Sequence, residues 1–119
     1  MAVIELDKSN FDDTIKNNDI VMVDFWAPWC GPCKQFAPTY EEVSNEIDGV
    51  VLTKVNTEDQ QELGAQFQIR SIPTLMIFRD QIAIFTQAGA LSKTDLLNVL
   101  TKAKELDMDK VREEIANQK

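Results

Sequence analysis

Apolar positions along this chain switch between two periods, and the switches mark its elements. Ile20-Val21-Met22-Val23, then Asp24, then Phe25-Trp26 form an almost unbroken apolar run, which predicts a strand covered on both faces. Beyond it Phe36, Tyr40, Val43 and Ile47 recur at spacings of 4, 3 and 4, a helical stripe. Pro38 lies within that stripe, where its missing N–H and its ring predict a kink. Upstream, Ala2 to Leu6 reads as a short strand, and Ser9 is placed to cap a short helix carrying Phe11 and Ile15. Downstream, Val50 to Asn56 predicts a strand. Glu58 to Phe67 predicts a helix, with Leu63 and Phe67 on one side and Gly64 weakening it. Thr74 to Phe78 and Ile82 to Gln87 read as two strands joined at Asp80-Gln81, a connection without the glycine that two-residue hairpins favour. Ser92, with Asp95 three residues on, resembles a capping box ahead of the stripe Leu96, Val99, Leu100, Ala103 and Leu106. Met108, Val111 and Ile115 make a further small stripe, either a fifth short helix or a continuation of the fourth. It is open to packing on the domain, to meeting a partner or to fraying. Alternating strands and helices point to an α/β core closed by a hairpin and a last helix.

Composition narrows the picture without naming a role. With 119 residues and 44% hydrophobic side chains, the chain suits one domain with a core of its own. The net charge of −8, from 20 acidic and 12 basic residues, argues against nucleic acid as a partner and serves solubility. Met1 to Asp7 meets acid before any apolar stretch of signal-peptide length, and no run approaches membrane-spanning length. The expectation is a soluble protein of a reducing compartment, although a chain stripped of a leader would read the same.

The chemistry concentrates in Trp29-Cys30-Gly31-Pro32-Cys33-Lys34, where the strand gives way to the helix. These are the only 2 cysteines, and histidine is absent. Three residues is about one helical turn, so both sulfurs end on the same side. Gly31 lets the backbone turn closely, and Pro32 suits a first helical turn. Cys30 would face unpaired N–H groups and the positive end of the helix dipole, an environment that favours the reactive thiolate. Cys33, one turn in, would be more buried and less reactive. Cys30 would then attack a substrate disulfide, and Cys33 would attack the Cys30 sulfur to release the reduced product. A static disulfide is the bland alternative, but so short a loop constrains an unfolded chain poorly. Zinc is another, but it wants four ligands, and this pair supplies half a site.

Asp24 interrupts the apolar strand six residues before Cys30. In a central strand its carboxyl would be buried, its pKa raised, and it could take the proton of Cys33. On an edge it would simply face water, and the pattern leaves the two readings even. Lys54 could pair with Asp24 if their strands are neighbours; otherwise it is a solvated strand-face lysine, the reading the pattern favours. Proline at a strand start is unremarkable, and pattern alone favours a trans Ile72-Pro73 bond. Gly89 is either a loop glycine or a point of close backbone approach. Trp29 is placed for contact and Trp26 for packing beneath the loop.

The run Val23-Asp24-Phe25-Trp26-Ala27-Pro28-Trp29-Cys30-Gly31-Pro32-Cys33-Lys34 closely resembles the thioredoxin family. Further matches are Pro38, Lys54 in Lys-Val-Asn, Ile69 to Leu75 and Gly89-Ala90-Leu91-Ser92, together spanning roughly residues 3 to 104. The resemblance implies a thioredoxin fold, α/β, with a central mixed sheet of five strands flanked by four helices. That gives a domain over residues 1–106, with 107–119 as a short C-terminal helical extension of it. It implies a cytoplasmic, monomeric protein-disulfide reductase without a bound cofactor or metal, cycling between dithiol and disulfide and donating electrons to reductive enzymes. Asp24 matches a buried carboxylate that assists Cys33, with Lys54 its neighbour. Pro73 matches a cis-proline facing the disulfide. Trp29, Gly31, Pro32, Ile72, Pro73, Gly89 and Ala90 match the substrate-contact surface, and Gly31-Pro32 matches the reducing branch. The implied partners are a thioredoxin reductase drawing on NADPH, and clients such as ribonucleotide reductase, peroxiredoxin and methionine sulfoxide reductase. Ser71 stands where glycine is common, Asp80-Gln81 replaces an Asn-Gly-like turn, and the chain continues past the family's usual end.

Overall fold

The structure, a computed structural model, describes residues 3–118. Five strands, β1 (Ile4–Leu6), β2 (Ile20–Trp26), β3 (Val51–Asn56), β4 (Thr74–Arg79) and β5 (Ile82–Ala88), form one sheet in the order β1-β3-β2-β4-β5. β1, β3 and β2 run parallel, and β4 and β5 join antiparallel, so the sheet is mixed. β2 sits in the middle, which is why its sequence is apolar on both faces. The helices are α1 (Phe11–Asn17), α2 (Gly31–Glu46), α3 (Gln61–Gln66), α4 (Lys93–Glu105) and α5 (Met108–Asn117).

Alternation along the strands sorts the core into two halves. Met22, Leu52, Leu75 and Ile77 meet Phe36, Tyr40 and Val43 of α2 and Leu96 and Leu100 of α4 on one face. Val21, Val23, Phe25, Val55 and Met76 meet Phe11 and Ile15 of α1 and Leu63 of α3 on the other. The chain therefore has the expected sheet and four flanking helices, and the C-terminal stripe becomes a separate fifth helix. Asp107 caps α5 by accepting from the N–H groups of Asp109 and Lys110 at 3.0 and 3.3 Å. Met108 is buried, and Arg112 ties α5 to Asp80 in the β4–β5 turn at 3.1 Å. Arg79 donates to the carbonyls of Ala103 and Leu106, closing the end of α4 onto β4.

Several boundaries differ from the sequence reading. Ser9 does not cap α1. Asn10 holds that position, and Asp7 organises the turn, accepting from the N–H groups of Ser9 and Asn10 and from the Ser9 hydroxyl. The first strand is shorter than expected, and Ala2 lies outside the described residues. α3 starts at Gln61 rather than Glu58, because Asn56 first turns the chain by accepting from the Glu58 N–H. Asp80 and Gln81 make the tight turn without glycine, at φ of 51° and 69°. Ser92 caps α4 as expected, accepting from the Asp95 N–H at 3.2 Å.

Candidate active site

β2 ends at Trp26, the chain turns through Ala27 to Trp29, and α2 starts at Gly31. Cys30 is the N-cap residue of α2, and Pro32 lies in the first turn, where no N–H is missed. The Cys33 N–H donates to the Cys30 Sγ at 3.2 Å. Cys30 and Cys33 are joined in a disulfide, their Cα atoms 5.2 Å apart. The expected difference in burial is absent in this form. Cys30 is 4% exposed and Cys33 3%, because the bond ties both sulfurs into one apolar cluster with Ala27, edged by Trp26 and Ile72.

The far loop comes up against the sulfurs. The Ile72-Pro73 bond is cis, against the reading of the pattern alone and in line with the family resemblance. The Ile72 carbonyl oxygen lies 3.8 Å from the Cys30 sulfur, a contact and not a hydrogen bond while that sulfur carries no proton. Gly89 donates its N–H to the Pro73 carbonyl at 2.8 Å. An added Cβ at Gly89 would meet nothing within 4 Å, so it is its φ of +94° that favours glycine. Trp29, Gly31, Pro32 and Ala90 are exposed, Trp29 by 68%, while Ile72 and Gly89 are half-buried and Pro73 is buried. Ser71, exposed, has its carbonyl tied by the Thr74 hydroxyl at 2.6 Å.

Asp24 shares its side of β2 with Met22, beneath α2, and is 4% exposed, which excludes the edge-strand reading. β3 pairs with β2 so that Lys54 is the direct partner of Asp24, on the same face. Lys54 places its Nζ 5.1 Å from the ring centroid of Trp26. Burial pushes the Asp24 carboxyl up to about 7, against the opposing pull of the Lys54 charge. Asp24 Oδ1 and Trp26 Nε1 are buried without a hydrogen-bond partner among the described residues. Tyr40, read from sequence as core only, points its hydroxyl at the carbonyls of Thr53 and Met22, 2.7 and 3.1 Å away. A lone phenol in an aliphatic helical stripe was the available signal, since a buried hydroxyl needs a partner. Among the described residues no three or more His, Cys, Asp or Glu side chains are grouped to hold a metal.

A family model described as Thioredoxin matches residues 2–102. The chain belongs to the thioredoxin family. It is 51% identical over 117 residues to a putative thioredoxin 2 of Streptomyces coelicolor, covering 98% of this chain and 87% of that one. It is 43% identical to a thioredoxin of Haemophilus influenzae, covering 84% of this chain and 95% of the relative. Among solved structures, a mutant thioredoxin from Halobacterium salinarum superposes with a TM-score of 0.82 at 27% identity, covering 88% of this chain and 93% of that one. Plasmodium falciparum thioredoxin superposes at 0.78 and 34% identity, covering 83% and 97%. This thioredoxin-family chain is a thiol–disulfide oxidoreductase whose redox group is its own disulfide, Cys30–Cys33. Membership brings two general classes of partner, a reductase and proteins bearing disulfides. Among the described residues no helix is long and apolar enough to cross a membrane.

Proposed function

We propose that the reduced chain donates two electrons to client disulfides through Cys30 as attacking thiolate and Cys33 as resolving thiol. The observation that carries this reading is Cys30 at the N-terminus of α2, its sulfur already accepting the Cys33 N–H. The same donor and the helix dipole would stabilise a thiolate there. Asp24, in reach of the loop that follows its strand, accepts the proton of Cys33 as it attacks, and Lys54 moderates the affinity of Asp24 for that proton. Trp29, Gly31, Pro32, Ile72, Pro73, Gly89 and Ala90 form the surface against which a client chain lies. A thioredoxin reductase fed by NADPH restores the dithiol. The acting form is a cytoplasmic monomer, and residues 107–119 extend the domain over 1–106. Its clients are cytosolic reductive enzymes of the ribonucleotide reductase, peroxiredoxin and methionine sulfoxide reductase kinds.

Trapping tests this reading. Cys33→Ser, exposed to cytosolic extract, accumulates client proteins disulfide-bonded through Cys30, and Cys30→Ser abolishes insulin reduction. In the reduced protein, iodoacetamide reacts with Cys30 at a pH well below the range of free cysteine. Alkylation of Cys30 no faster than free cysteine, together with no trapped species, would refute it.

A further inference from the structure

Beneath α2, against Asp24, lies a cavity of about 100 Å³. A water needs only about 10–15 Å³ of such space, so the cavity has room for several. Two lining residues, Asp24 and Trp26, contribute the buried acceptor Oδ1 and the buried donor Nε1 that no described protein group satisfies. A buried polar atom without a partner costs about 1–3 kcal/mol, which favours water at this place. The cavity also leads outward, since its lining includes the exposed Lys34 and the half-buried Glu41 and Lys54.

The ionisable groups around Asp24 come from two elements. β3 supplies Lys54, and α2 supplies Lys34, Tyr40 and Glu41, while β4 sets only Leu75 beside it. The two lysine ammoniums donate and have no site that accepts a proton. The Tyr40 hydroxyl faces the Thr53 and Met22 carbonyls, and burial holds its acidity far from neutrality. Among the described residues Glu41 is the one other acidic residue lining the cavity. We propose that Glu41 passes protons between Asp24 and solvent through water in this cavity, acting through Asp24 and not on the sulfurs.

This step rests on the reading of Asp24 as the proton acceptor of Cys33. When Cys33 loses its proton to the Asp24 carboxylate, its sulfur attacks the Cys30 sulfur of the mixed disulfide. The Cys30–Cys33 bond forms, the Cys30–client bond breaks, and the client leaves as a thiolate that takes its proton from solvent. As the Cys33 proton arrives, Asp24 passes one on through the cavity water to the Glu41 carboxylate in the same step, so the transfer is complete while the sulfur attacks, and Glu41 returns the proton to bulk water. The dithiol is oxidised by two electrons and the client disulfide is reduced by the same two.

The test is stopped-flow oxidation of the reduced protein by a small aromatic disulfide from pH 5.5 to 9, following the resolving phase. General acid–base groups contribute about 10²–10⁴-fold, and a group one transfer away should contribute less, about five- to tenfold. Glu41→Gln is expected to lower the high-pH plateau by that factor, Glu41→Asp to restore most of it, and added small carboxylate buffer to rescue Glu41→Gln alone. In an Asp24→Asn background Glu41→Gln should slow the phase no further. An unchanged plateau in Glu41→Gln overturns the proposal. So does a mere downward shift of the midpoint, the mark of a lost charge near Asp24, or an equal loss in the Asp24→Asn background. If Asp24→Asn itself resolves at the wild-type rate across the range, the reading of Asp24 falls, and the outlet falls with it.

Discussion

Above neutral pH Asp24 puts a charge beneath α2, opposed by the charge of Lys54 beside it in the sheet and with Oδ1 lacking a described protein partner. Its carboxyl is raised from 3.8 to about 7 by burial. In the unfolded chain it ionises near the ordinary value, so between about pH 4 and 7 the folded state holds more protons than the unfolded state. Stability therefore falls as pH rises through that window, and the full penalty is present above it. Asp24→Asn should make the oxidised protein more stable than wild type at pH 8, by about 2–4 kcal/mol in urea unfolding. The gain should shrink to almost nothing near pH 4, and a gain independent of pH would contradict the account. The sequence alone left this residue undecided, because an aspartate in an apolar run reads the same at an edge as at the centre. Only strand order resolves it, and strand order is a property of the whole sheet. Cys30, Cys33 and Trp29 were legible because their chemistry and spacing are local. The cis bond before Pro73 was not, since X–Pro isomers differ intrinsically by only about 0.5–1 kcal/mol.

Turns and caps behave differently from strands and helices. β2 was readable to its last residue because both its faces are covered, and the α2 stripe because Phe36, Tyr40 and Val43 all reach the sheet. Ser9 misled because its hydroxyl is spent donating to Asp7, which also accepts from the Ser9 and Asn10 N–H groups and so moves the helix start to Asn10. The β4–β5 turn holds two non-glycine residues at positive φ, each costing about 1–2 kcal/mol relative to glycine in that region. Gln81→Gly should relieve the share of Gln81, offset by about 0.5–1 kcal/mol of extra chain entropy. The expected net gain is about 0.5–1 kcal/mol, read as a raised urea midpoint at constant slope. Asp80 is left in place because Arg112 holds its carboxylate.

Across the molecule, β2 and β3 deliver their C-terminal ends to the disulfide, while β4 runs away from it to Arg79 and the turn that α5 clasps. The sulfurs and α5 thus occupy opposite ends of the sheet, separated by the length of β2, about 20 Å at 3.3 Å per residue. A chain ending at Leu106 should keep its rate of insulin reduction while losing the buried Met108, worth about 2 kcal/mol. Its thermal midpoint should fall by about 5–10 °C in a calorimetric scan. A fall in rate as large as the loss of stability would show that α5 reaches the chemistry after all. The same separation gives the molecule an orientation: held by its last helix to a bead, a scaffold or a larger assembly, it would present its electron-transferring end outward, free to meet whatever arrives from solution.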